Sequence, residues 1–211
     1  MKIGVIGAGN VGGALGTLWA GKGHQIMFGG RDPQGAKLQE LVKSAGGNAR
    51  AGTVKDAASF GDVVVLATPW PATEEAIRSA GSLAGKILID CTNPMAADLS
   101  GLTIGTNNSG GEEVAQWAPG AKVVKAFNTL GAGSFANPRI GSEIASMFIC
   151  GDDASAKSVV AQLTAELGFD VVDAGPLTAS RSLEPMAMLW VHLAYMQGWG
   201  PAGHAFKMLR R

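Results

Sequence analysis

Apolar and polar positions along the chain follow two periods that alternate. Short β-branched runs read as strands, and the stretches after them repeat apolar residues every three or four positions, as one face of a helix does. Ile3, Val5 and Ile6 form the first run, and Val11, Leu15, Leu18 and Trp19 the helical face behind it. The same pairing predicts a strand at Gln25–Phe28 with a helix over Gln34–Ala45, and a short strand at Asn48–Ala51 with a helix over Val54–Ser59. Asp62–Ala67 is continuously apolar, as a parallel strand covered on both faces must be, and a helix over Glu74–Ala80 follows it. Lys86–Asp90 is a fifth strand. After a polar, glycine-rich loop at Ser100–Gly111 come a helix at Glu112–Trp117 and a sixth strand at Lys122–Phe127. Ser146–Cys150, a helix over Ala154–Leu167, Phe169–Asp173 and a closing helix over Thr178–Gln197 complete the order. Alternation of this kind predicts an α/β fold with a mostly parallel sheet of about eight strands and the C-terminal helix packed across it. No repeat, linker or shift in composition divides the chain, so residues 1–211 read as one domain.

The junction of the first strand and helix reads Gly7-Ala8-Gly9-Asn10-Val11-Gly12, a GxGxxG turn in the strand–turn–helix setting of a doubly wound, Rossmann-like nucleotide-binding unit. Gly7 suits the tight turn, Gly9 close approach of a pyrophosphate, and Gly12 close packing of helix on strand. The N–H groups at the helix start then face an anion. At the end of the second strand, where the adenosine ribose is met, NAD-binding units place an acidic residue. Here Gly29 and Gly30 stand there and Arg31 follows, which favours NADP, with Arg31 as the fork for a 2′-phosphate. Asp32 is the competing group, able to accept from a free 2′-OH, although its place before Pro33 suits capping of the next helix. The strand-end loops Thr68-Pro69-Trp70 and Cys91-Thr92-Asn93 face the same crevice.

Composition narrows the classes. The 211 residues are 46% hydrophobic and 16% charged, which describes a well-buried globular chain. A formal net charge of zero, with no basic run beyond Arg210-Arg211, argues against nucleic acid or an anionic membrane as partner. No charged-then-apolar leader precedes the first strand, and the longest apolar stretch, Met186–Met196, is too short for a bilayer, so a cytoplasmic location is expected. Cys91 and Cys150 have no metal-ligand spacing and read as buried free thiols, and no metal site is expected.

The chemistry is bounded by what is missing. Tyr195, the single tyrosine, has Trp199 four residues on, so a Tyr/Lys proton relay is unavailable. His24 reads as structural and His192, on an apolar helix, as a satisfied core residue; neither they nor His204 has the spacing of a dyad. A carbonyl reductase needs a group to protonate the alkoxide. Hydride exchange with a second redox ring needs only that two rings be aligned. No side chain is therefore assigned as catalytic. Two rival readings stand beside this one: a small-carbonyl dehydrogenase of the β-hydroxyacid or pyrroline-carboxylate type, and an NADP-binding regulator without turnover.

Gly7–Gly12, the GGRD strand end, Thr68–Trp70 and above all DAGPLTASRSLE at Asp173–Glu184 resemble the NADP oxidoreductases that use the deazaflavin coenzyme F-420. The NADPH domain of the six-transmembrane metalloreductases is related, and resembles KILID, KAFN and the Ser-Arg-x-x-Glu run. The resemblance spans nearly the whole chain and implies reversible hydride transfer between NADP(H) and a deazaflavin or flavin, a small-molecule co-substrate. It also implies that Gly7, Ala8, Gly9, Asn10 and Val11 hold the pyrophosphate, and that Gly30 and Arg31 hold the 2′-phosphate. Thr68, Pro69 and Trp70 take the ribose and nicotinamide side, with Ala132 at the carboxamide; Asn93 joins the cofactor residues by its place in a strand-end loop on the same crevice. Elements within about 122–197 supply the second-substrate side: Asn128, Thr129, Leu130, Ser180, Arg181, Leu183 and Met186. Archaeal deazaflavin enzymes have histidine at the position of Asn128, and the metalloreductase branch has asparagine. Taken by spacing alone, Ser180–Glu184 reads as a helix start, with Ser180 capping and Glu184 paired to Arg181. The Met186, Met188, Leu189 and Met196 cluster reads as core or as the interface of a homodimer.

Overall fold

A computed structural model describes residues 1–210. β1 (Lys2–Ile6) lies inside an eight-stranded sheet and pairs in parallel with β2 (Gln25–Gly30) on one side and β4 (Val63–Leu66) on the other. β3 (Ala49–Thr53) flanks β2, and β5 (Ile87–Asp90) and β6 (Lys122–Lys125) continue beyond β4, all parallel. β7 (Ser146–Gly151) joins β6 antiparallel, and β8 (Asp170–Asp173) closes that edge parallel to β7. The order β8-β7-β6-β5-β4-β1-β2-β3 reverses direction between β1 and β4. A doubly wound sheet opens its ligand crevice at such a switch point, outside the carboxyl ends of the strands.

Alternate residues of each strand feed two different cores. Ile3, Val5, Val63 and Val65 pack with Leu15 and Trp19 of α1 (Asn10–Gly21) and Leu163 of α6 (Ala154–Glu166). Ile6, Val64 and Leu66 pack on the opposite face with Ala58 of α3 (Val54–Phe60), Ile77 of α4 (Thr73–Ala80) and Val114 of α5 (Gly110–Trp117). α2 (Ala36–Ala45) lies beside α1, and the Trp19 indole donates to the Leu163 carbonyl at 3.1 Å, tying α1 to α6. The closing helix α7 (Ser180–Val191) sets Leu183 and Met186 against Phe148, Cys150 and Val172 of β7 and β8.

Four local expectations are corrected. α2 starts at Ala36 with Gly35 as its cap, because Asp32 is used in a turn: its Oδ1 accepts from the Gln34 N–H at 3.1 Å and its carbonyl from Gly35. β6 stops at Lys125, because Phe127 takes φ +61°, a left-handed conformation that ends a strand. The closing helix is not continuous over Thr178–Gln197. A 3-10 turn at Leu177–Ala179 precedes α7, and a π turn at His192–Met196 follows it. His192 is exposed there, beside Gln197, whereas His204, like His24, is buried, and it stacks 5.2 Å from the Trp190 ring. A two-residue hairpin, Arg139–Ile140 with Glu143–Ile144 around Gly141 (φ +60°), is too short to leave a periodic trace.

Candidate functional site

Gly7 follows β1 directly and has φ +96°, a conformation that a side chain makes costly. A Cβ on Gly7 would lie 2.5 Å from the Ala67 carbonyl oxygen, and Ala67 donates to the Ile6 carbonyl at 2.8 Å. The turn after β1 thus meets the Ala67–Thr68 step after β4 at the switch point. Gly12 seals the turn from above, since a Cβ there would fall 2.1 Å from the Gly7 carbonyl oxygen. Gly9 differs. It caps α1 in extended conformation, with no side chain on the helix end, and a Cβ on it would meet nothing within 4 Å. The first N–H groups of α1, at Asn10 and Val11, have no intrahelical acceptor and leave an open cradle for an anion.

Arg31 is exposed directly beyond Gly30, the last residue of β2, and the neighbouring Asp32 gives one carboxylate oxygen, Oδ1, to its own turn. On the other side of the switch point, the Thr68 hydroxyl lies 3.0 Å from that of Thr73. Pro69 leads into a 3-10 turn in which Trp70 packs on Trp117 of α5, ring centroids 5.3 Å apart. Ala132 starts another 3-10 turn, and together with Gly9, Gly13 and Ala14 it lines one cavity of about 360 Å³.

The loops after β5 and β6 are joined by two asparagines. Asn93 Nδ2 donates to the Asn128 carbonyl at 2.9 Å, and Asn128 Nδ2 donates to Asn93 Oδ1 at 3.0 Å and to the Leu183 carbonyl of α7 at 3.3 Å. Asn128 Oδ1 is buried without a protein partner among the described residues. Thr129 and Leu130 are buried behind it. The left-handed Phe127 that turns the chain into Asn128 is held by edge contacts with Trp19, Phe135 and Phe169. Strain of this kind persists where the surroundings over-determine it.

The Ser180–Glu184 run is arranged otherwise than its spacing suggests. Ser180 does not cap α7; its buried hydroxyl lies 3.3 Å from Cys150 Sγ. Arg181 forks onto Glu112 of α5, Nε to Oε2 at 2.8 Å and Nη2 to Oε1 at 2.6 Å. That contact holds the Glu112 carboxyl below its ordinary range despite some burial. Glu184 pairs instead with Lys125 Nζ at 3.0 Å and accepts from the Gly110 and Gly111 N–H groups at 2.9 and 3.0 Å. Lys125 also reaches Asp90 Oδ2 at 2.7 Å and the Thr92 carbonyl at 2.8 Å. Burial alone would drive the proton off Lys125, but the charges and hydrogen bonds of Asp90 and Glu184 prevail and raise its pKa above the usual lysine value. Burial pushes the nearby Cys91 thiol well up, with the Asp90 charge adding to it.

The strand ends therefore bring together Gly7–Val11, Thr68–Trp70, Asn93 and Asn128, with Leu183 joined through its carbonyl. Ser180 and Met186 lie behind this row against β7 and β8, and Arg181 lies partly exposed on the α5 side. The Asp90–Lys125–Glu184 cluster was missed by sequence reasoning. Its trace was a lysine inside the apolar run KVVKAF, where both sheet faces are covered.

A sequence model of the NADP oxidoreductase, coenzyme F-420-dependent family matches residues 2–94. The metalloreductase STEAP3 of Rattus norvegicus is 30% identical over 188 residues, which are 89% of this chain and 36% of that protein. The chain thus spans about a third of the length of that relative. A crystal structure assigned as an F-420-dependent NADP reductase, from Arthrobacter sp. FB24, superposes with a TM-score of 0.90 at 33% identity, covering all of both chains. The F-420-dependent NADP reductase of Methanocaldococcus jannaschii is 31% identical over 210 residues, 92% of each chain. Likeness at that identity over nine tenths of both chains, together with the matched glycine turn, places the chain in the coenzyme F-420-dependent NADP oxidoreductase family.

Proposed function

We propose that the protein transfers hydride between NADP(H) and a deazaflavin or flavin ring, without an acid or base side chain in the transfer. The observation that carries the reading is the open α1 N-terminus at the β1/β4 switch point, followed along the same edge by Trp70 and the Asn93–Asn128 pair. In this reading the Gly7–Val11 turn holds the pyrophosphate and Gly30 with Arg31 the 2′-phosphate. Thr68, Pro69, Trp70, Asn93 and the Ala132 backbone set the nicotinamide side. The nicotinamide supplies the hydride chemistry when bound, and the protein supplies alignment and exclusion of water. Asn128 faces the second-substrate side, tied to the Leu183 carbonyl; Thr129, Leu130, Ser180 and Met186 back it from the buried layer, and Arg181, held by Glu112, flanks it, all within 122–197 of a single domain. The unpartnered Asn128 Oδ1 is an acceptor that a ring N–H of that substrate would satisfy.

Histidine placement supports transfer between rings. His24 is bound to Glu166 at 2.7 Å, His204 is stacked on Trp190, and His192 sits exposed beside Gln197. The half-exposed Leu189, Tyr195, Met196 and Trp199 support a homodimer through α7 and the turn after it. No helix among the described residues is long and apolar enough to cross a membrane, and the buried free Cys91 and Cys150 suit a reducing cytoplasm. Anaerobic mixing with NADPH and with a deazaflavin, FMN or FAD tests the reading. Loss of the reduced nicotinamide absorbance with at least one ring acceptor supports it. Absence of turnover with every ring acceptor would contradict it.

A further inference from the structure

We infer that the Asp90–Lys125–Glu184 cluster sets an uncompensated negative charge beside the nicotinamide end of the cofactor site, and thereby favours the oxidised, cationic ring over the reduced, neutral one. The inference rests on the proposed placement of NADP along the strand ends.

Two carboxylates face one ammonium. Asp90 and Lys125 are wholly buried and Glu184 is 1% exposed, so water does not screen them. Among the described residues Lys125 is the only cationic side chain paired with either acid. The other partners are neutral: the Thr92 N–H and hydroxyl on Asp90 Oδ1, at 2.9 and 2.6 Å, and the Gly110 and Gly111 N–H groups on Glu184. The N-terminus of α5 offsets about half a unit of charge there. The rest of the excess charge stands. The Arg181–Glu112 pair alongside is balanced in itself.

The cluster's position gives the charge a target. A Cβ on Gly110 would lie 3.1 Å from Trp70 Cζ3, 3.1 Å from Pro94 Cδ and 3.2 Å from Glu184 Oε1. The carboxylate, the Trp70 ring and the loop carrying Asn93 therefore meet around one point. Thr92, which accepts from Lys125, adjoins Asn93 in the chain. Stability alone does not call for such a cluster, since replacing buried ion groups by packed apolar residues is often neutral or stabilising. A fixed charge at the strand ends acts differently on two ligands that differ by one charge. A merely structural tie between α7, α5 and the sheet acts on both alike.

The test compares the unsubstituted protein with Glu184→Gln and Asp90→Asn. Each variant keeps the side-chain shape and removes one negative charge, from different elements. Dissociation constants for NADP⁺ and NADPH are measured by calorimetry, with thermal melting to confirm folding. The ratio of the NADP⁺ constant to the NADPH constant is expected to rise on the order of 10-fold in each folded variant, as for a unit charge about 10 Å away at an effective dielectric constant of about 20. An unchanged ratio, with both constants weakened by one factor, or a ratio that falls, in either folded variant, would overturn the inference and leave the proposed function intact. Failure of the unsubstituted protein to bind either form would overturn both.

Discussion

Asn93 and Asn128 exchange hydrogen bonds across the carboxyl ends of β5 and β6, side chain to carbonyl at 2.9 Å and side chain to side chain at 3.0 Å. The second Asn128 proton reaches the Leu183 carbonyl, so one amide joins the proposed nicotinamide loop, the proposed co-substrate loop and α7. The left-handed Phe127 sets the direction from which Asn128 enters.

Replacing Asn128 by alanine leaves Asn93 Oδ1 without its donor and removes the tie to the Leu183 carbonyl of α7. Turnover with a ring acceptor is expected to fall roughly 10-fold or more, while NADPH affinity stays within about three-fold, and stability drops by about 1–3 kcal/mol. Steady-state rates beside an NADPH titration separate the effects. An equal loss of NADPH affinity would move Asn128 to the cofactor side.

Gly9 and Gly12 lie three residues apart and should respond oppositely to alanine. Gly12→Ala puts a methyl 2.1 Å from the Gly7 carbonyl oxygen, and a loss of about 1–3 kcal/mol of stability is expected. Gly9→Ala meets no protein atom within 4 Å, so its melting temperature should hold while NADPH affinity falls about 10-fold or more. Melting curves and NADPH titrations on the two variants check this. Unchanged affinity in Gly9→Ala would remove the pyrophosphate from this turn.

Arg31→Ala tests cofactor preference. A charge-assisted contact to phosphate is worth about 1.5–3 kcal/mol, so NADPH should weaken on the order of 10- to 100-fold and NADH by less than about two-fold. Equal losses, measured by titration of both cofactors, would refute the 2′-phosphate assignment.

Asp153 caps α6, accepting from the Ala156 N–H at 2.8 Å, and pairs with Lys122 at 3.0 Å. The Ser155 hydroxyl, the Ala156 N–H and Lys122 hold its carboxyl far below the ordinary range. A depressed folded pKa stabilises above the unfolded value near about 3.9, and that contribution disappears as pH falls from there through the folded value. Asp153→Asn keeps a capping oxygen but drops the charge. Urea midpoints should lie slightly below those of the unsubstituted protein at neutral pH, with the gap closing below about pH 4. A gap independent of pH would contradict the assignment.

Much of the fold was legible because its cause is local. Val63–Leu66 and residues 87–89 are apolar since helices cover both faces, and the glycine turn is a short-range steric requirement at Gly7 and Gly12. What escaped depends on contacts distant in sequence. Nothing near Glu184 announces that its partners are Gly110, Gly111 and Lys125 rather than Arg181. The early end of β6 follows from an aromatic cluster that pins Phe127, drawn from three separate segments. The start of α2 was misplaced by two residues because an aspartate before proline serves a cap and a turn equally well, and Asp32 makes the turn.

Direct hydride transfer between two rings is tested most directly by following the hydride. NADPH carrying deuterium at the transferred position of C4, mixed anaerobically with protein and a deazaflavin, should yield reduced deazaflavin with deuterium on C5 and a primary isotope effect on the rate. Label lost to solvent, or oxidation of NADPH only when a small carbonyl or imine is supplied, would contradict it.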